Sequence, residues 1–175
     1  MRNTRRMILC ALFAALCAVC AQIQIPMQPI TMSLALLAVH LAGALLSPGQ
    51  AAMAMAVYLL MGAMGLPVFS GFRGGMGVLL DRTGGYVLGY VLCAWLGSKL
   101  RQGRCGGVRS VLAMAAGTLA CYGLGTVWFM LLTKMPLWTS LTLCVFPFIP
   151  GDAAKILMAT LLAKRLHMPL KRIVN

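Results

Sequence analysis

The sequence predicts an all-α membrane protein with six transmembrane helices and both termini cytoplasmic. Three observations point there. Hydrophobic residues make up 61% of the 175 and charged residues only 10%, apolar runs recur along the chain, and the basic residues gather where those runs end. A spanning helix needs roughly 20 apolar residues plus a short turn, so the chain suits one integral-membrane domain over 1–175, with nothing marking a second.

The first run, Met7 to Ile25, follows Arg2, Arg5 and Arg6 and ends in "QIQIPMQPIT", where Pro26 and Pro29 break the helix. Its basic start and apolar centre resemble a signal peptide, but no comparably polar mature domain follows, which favours a retained helix. The second run, about Ile30 to Leu46, and the third, Ala51 to about Met64, are joined by the turn "SPGQ" and are short for full crossings. Gly65 to Tyr86 is too apolar for an ordinary loop and too irregular for a helix, and reads as a structured lid. The fourth run, Gly84 to Leu100, ends among Lys99, Arg101, Arg104 and Arg109, and the fifth covers about Val111 to Leu132. In "PLWTSLTLCVFPFIP" only about a dozen residues separate the prolines, too few for a hydrocarbon core of roughly 30 Å, so an interfacial or re-entrant approach is expected. The last run extends from Gly151 to about Leu166, with Lys164, Arg165, Lys171 and Arg172 at its end.

Charge tests the count. With six crossings, eleven of the 15 Lys and Arg fall on the cytoplasmic side, Arg73, Arg82 and Lys134 fall outside, and Lys155 sits within a helix. A seventh crossing would put the two basic termini on opposite faces, against the bias of Lys and Arg toward the cytoplasm. The net charge of +13 therefore reads as topology. It does not read as a nucleic-acid surface, which would need a basic stripe with stacking aromatics.

The seven cysteines, Cys10, Cys17, Cys20, Cys93, Cys105, Cys121 and Cys144, lie mostly inside apolar runs and read as small packing residues. Cys17 and Cys20 form a CxxC without further ligands nearby, so no metal site is expected, and no cofactor. His40 and His167 belong to no catalytic constellation, and no G-x-x-x-x-G-K-[ST] loop occurs, so neither an enzyme nor an ATPase is expected in this chain.

The outer side gathers the proline-broken turn around Gln28 to Thr31, the lid, the approach segment and the head of the last helix. The chain has two acidic residues, and one of them, Asp152, stands three positions before Lys155 in that helix. Residues at i and i+3 share a helical face, and ionisable groups within a bundle usually face a cavity and mark a substrate path. The competing structural roles are a helix cap for Asp152, a snorkelling Lys155, or an ion pair that only orders the bundle. Arg73 and Arg82 are either partners for an anionic ligand group or solvated loop residues. Gly71, Gly74, Gly75 and Gly77, and "TGGY" at Thr83, Gly84, Gly85 and Tyr86, permit either close helix packing or close backbone approach to a ligand. Tyr86, Tyr90, Tyr122, Trp128 and Trp138 are candidate ligand walls or interfacial anchors. In the first helix Ala11 with Ala15, and Ala14 with Ala18, form small-xxx-small stripes for packing against a partner or against the protein's own helices.

"GLPVFSGFRGGMGVLL", then "TGGY", then "PFIPGDAAK" occur in an order that resembles the BioY family, the biotin-specific S components of energy-coupling-factor (ECF) transporters, and the six-helix layout agrees along nearly the whole chain. The resemblance implies an S-component fold that captures biotin from the exterior. It also implies partnership with a transmembrane coupling subunit and two ATP-binding-cassette ATPases in a prokaryotic plasma membrane. The family's GDxxK motif maps onto Gly151, Asp152 and Lys155. An AxxxA docking pattern for the coupling subunit maps onto Ala11 and Ala15, and less directly onto Ala14 and Ala18. Asp152 would accept from a ureido N–H and Lys155 would donate to the ureido carbonyl, with Arg73 or backbone amides near Thr83 to Tyr86 meeting the carboxylate. Asp81 and Arg82 stand where many members have Gly-Pro. The alternative function is a self-sufficient ion-coupled carrier using Asp152 and Lys155 as a relay, with a nontransporting assembly factor as a third.

Overall fold

The computed structural model describes residues 2–25, 32–101 and 107–174, with side chains over 4–24, 32–101 and 107–166. The turn around Gln28 to Thr31, Arg104, Cys105 and the side chains of Arg2, His167, Lys171 and Arg172 lie outside the described residues. Among the described residues eight helices follow in order: α1 (Arg2–Gln22), α2 (Ala35–Leu45), α3 (Pro48–Ala63), α4 (Met76–Leu80), α5 (Gly84–Arg101), α6 (Val108–Thr133), α7 (Leu137–Cys144) and α8 (Ile149–Val174). The six longest correspond to the six expected runs. Between α1 and α2, β1 (Gln24–Ile25) pairs antiparallel with β2 (Met32–Ser33), Gln24 opposite Ser33. The second run is therefore helical only from Ala35.

The helix α2 is the axis of the bundle. It is apolar on every side, and all its residues from Ala35 to Ala44 are buried, as expected of a helix wrapped by protein. Eleven residues rise only about 16 Å, so α2 alone does not cross a hydrocarbon core. Thr4–Gln22 and α6 are long and apolar enough to cross, and α7 with α8, bent by 52° at their junction, make a third candidate span. That bend is the expected approach segment. Around the axis the outward faces stay apolar, with Leu12, Val19, Leu119, Leu131, Leu157 and Leu161 exposed. Lipid, not water, suits such a surface.

Small residues bring α5 and α6 together. Gly85, Gly89, Cys93 and Gly97 recur every four residues on α5, opposite Ala113, Gly117, Cys121 and Gly125 on α6. A Cβ on Gly89 would stand 2.8 Å from the Cys121 sulfur, and one on Gly117 would stand 2.7 Å from the Cys93 carbonyl oxygen. Close approach of backbones is how helices associate in lipid, where apolar surface alone gives no preference for a neighbour. His40 of α2 is buried beside this seam, with Nε2 3.2 Å from Thr118 Oγ1.

At one end of the bundle α5 closes α2: Ser98 Oγ donates to the Leu46 carbonyl at 2.7 Å, and Arg101 Nη2 reaches it at 3.5 Å. Arg101 is buried there, so it is a cap for orphan carbonyls of α2 and not simply a solvated topogenic charge. At the other end the lid folds over the helix ends. Phe69 packs edge-on against Tyr58 and leaves no room for a Cβ on Gly62. Gln22, at the end of α1, accepts the Phe72 N–H at 2.9 Å and donates to the Phe69 carbonyl at 3.2 Å, holding Phe72 at a φ of 55°.

Candidate ligand-binding site

The lid end contains a partly open cavity, about 470 Å3 with the open mouth included. The strand β2 and helix α2 supply Met32, Ser33 and Leu36; α5 supplies Tyr86 and Tyr90; α6 supplies Cys121 and Tyr122. The bent pair closes it with Cys144 and Phe148 and delivers Asp152 and Lys155.

Both charges are nearly sealed, their side chains 7% exposed, and Lys155 Nζ donates to Asp152 Oδ1 at 2.7 Å. The Tyr122 hydroxyl donates to Asp152 Oδ2. Each carboxylate oxygen thus has one donor from the protein and keeps a lone pair for another. Asp152 lies in the first turn of α8, where free N–H groups favour an anion, and its own N–H donates to the Phe148 carbonyl at 2.8 Å. Gly151 lets the end of the Met32 side chain lie over the head of α8: a Cβ there would stand 2.6 Å from the Met32 methyl carbon, which would have to move aside.

The other expected site residues divide. Tyr86 lines the cavity, its ring lying against Gly125 and its hydroxyl 3.3 Å from Thr126 Oγ1. Gly84 and Gly85 do not reach it. They are buried in packing, Gly84 against the Leu79 carbonyl and Gly85 against the Trp128 side chain, where a Cβ would collide. Two of the nearby amides are used within the chain: Gly84 N–H donates to the Asp81 carbonyl and Tyr86 N–H to the Thr83 carbonyl, closing the turn into α5. Arg73 stands outside the cavity, half-exposed, with Nη1 3.9 Å from Asp81 Oδ2 and Nε donating to the Ser70 carbonyl at 3.2 Å. Asp81 also accepts the Arg82 N–H at 2.7 Å, so Asp81 and Arg82 form a self-contained turn.

Of the aromatic candidates, Tyr90 and Tyr122 join Tyr86 in the wall, whereas Trp128 donates to the Asp81 carbonyl and Trp138 is exposed against Phe146. Sequence reasoning missed Met32, Ser33, Leu36, Cys121, Cys144 and Phe148. Cys121 had a findable signal, the four-residue spacing it shares with Gly117 and Gly125. The two alanine stripes also separate: Ala11 and Ala15 are exposed, while Ala14 is fully buried and Ala18 partly so. Ala14 faces inward because it shares the helix face of Cys10 and Cys17, which pack into the core, and this removes it from any outer partner surface.

A profile of the BioY family matches residues 1–172. The chain belongs to the BioY family. It is 35% identical over 159 residues to a probable biotin transporter BioY of Pyrococcus horikoshii, covering 91% of this chain and 94% of that one. It is 34% identical over 162 residues to the biotin transporter BioY of Thermotoga maritima, covering 93% and 95%. A crystal structure of the S-component for biotin from an ECF-type ABC transporter shares the fold at a TM-score of 0.85 and 23% identity, covering 95% of this chain and 92% of that one. In this BioY chain Asp152 and Lys155 both line the cavity.

Proposed function

We propose that this chain is the substrate-capture membrane subunit of a biotin importer. It binds biotin in the cavity at the head of α8. The observation that carries this is the sealed Asp152–Lys155 pair facing that cavity, a complementary acceptor and donor for a cyclic urea. Biotin transporters of the same family, alike over more than nine-tenths of the chain, support the ligand. The cavity opens to the exterior of a prokaryotic plasma membrane, consistent with the gathering of Arg5, Arg6, Lys99, Arg101 and Arg109 at the opposite helix ends.

A transmembrane coupling subunit and two ATP-binding-cassette ATPases complete the importer and supply the energy. Ala11 and Ala15 form the docking stripe on α1 for the coupling subunit, being small and outward-facing. Ala11→Leu should leave biotin binding intact and reduce co-purification with the coupling subunit. Ala14→Leu should instead destabilise the isolated chain, since it overpacks a buried position. For the ligand itself, labelled biotin should bind the purified chain saturably, and the absence of saturable binding would overturn the proposal.

A further inference from the structure

The polar groups of the cavity can be accounted for one at a time. Asp152 is held by Lys155 and Tyr122. The Tyr86 hydroxyl pairs with Thr126, the Cys121 thiol donates to the Tyr86 carbonyl at 3.3 Å, and Ser33 Oγ accepts the Ala35 N–H at 3.4 Å. Tyr90 is different. Among the described residues its hydroxyl has no hydrogen-bond partner, although its ring lines the cavity.

Depth gives that hydroxyl a direction. Both α5 and α8 start at the lid end, and Tyr86 and Asp152 occupy their first turns. Tyr90 lies four residues further along α5 and Lys155 three further along α8, roughly 6 and 4.5 Å deeper at 1.5 Å per residue. The backbone positions of Tyr90 and Lys155 are therefore the deeper ones in the wall, and those of Tyr86 and Asp152 the outer ones.

We propose that Tyr90 is a specificity-determining residue whose hydroxyl, together with Lys155, donates to the carbonyl oxygen of the ligand's cyclic urea in this cavity. This rests on biotin being the ligand. A urea oxygen has two lone pairs and takes both donors, which leaves the ring N–H groups facing Asp152. A buried donor without an acceptor is costly, so a ligand lacking a strong acceptor at this position is rejected.

The test uses the purified full chain, labelled biotin, and a biotin analogue carrying sulfur in place of the urea oxygen, a weaker acceptor. Tyr90→Phe keeps the ring and removes only the hydroxyl. Its biotin affinity should fall about tenfold. The preference for biotin over the sulfur analogue should shrink relative to the parent chain, while thermal unfolding without ligand stays the same. Biotin affinity within twofold of the parent, or an unchanged preference between the two ligands, would overturn the role of Tyr90. If the parent chain failed to bind biotin at all, the assignment of the ligand would fall first, and the role of Tyr90 with it.

Discussion

Asp81 and Asp152 are the chain's two acidic residues, and each faces a base in a different setting. Asp81 meets Arg73 at 3.9 Å in the lid, with both side chains about half exposed. Asp152 meets Lys155 at 2.7 Å with both nearly sealed. An exposed pair gains little, because water and salt screen it and two long side chains must be ordered to form it. A sealed pair is costly to assemble, and removing one partner strands the other charge without solvent. A sealed pair that lines a cavity is better explained by a ligand than by stability.

The largest expected effect breaks the sealed pair. Lys155→Ala leaves Asp152 with Tyr122 alone, at a cost of about 3 kcal/mol or more. Equilibrium binding should show biotin affinity reduced at least about a hundredfold. Next comes the seam that holds the cavity wall in place. Gly89→Leu forces a side chain against Cys121 and should cost about 1–3 kcal/mol, read as a lower unfolding temperature in detergent. Smaller again is the lid's attachment. Gln22→Ala removes the acceptor of the Phe72 N–H, an interaction worth about 1 kcal/mol, so hydrogen exchange at Phe72 should accelerate while exchange in α5 does not. The smallest change belongs to the exposed pair. Asp81→Asn should alter stability by less than about 1 kcal/mol and leave biotin affinity within twofold.

Much of this contrast was legible in the sequence, because lipid imposes strong rules. The run lengths, the basic ends and the short crossings gave the six principal helices, and the i, i+3 spacing of Asp152 and Lys155 gave the site's charged pair. Three features were not legible. The inward turn of Ala14 and outward turn of Ala15 depend on which face of α1 meets α2 and α3, and the alanines themselves do not specify it. Gly84 and Gly85 served packing because Trp128 and Leu79 approach them, contacts that form between distant segments. Arg73 was captured by Asp81 and Ser70 across the fold of the lid, which no local pattern announced. The residues missed in the cavity, such as Ser33 and Phe148, come from segment ends where chain direction, not composition, decides what faces inward.

A crystal structure of the chain grown with biotin tests the central claim most directly. The account predicts the ureido ring inside the cavity, an N–H within hydrogen-bonding distance of the Asp152 carboxylate and the ring oxygen within reach of Lys155 Nζ. Biotin bound elsewhere, with the Asp152–Lys155 pair intact and untouched by it, would contradict the account.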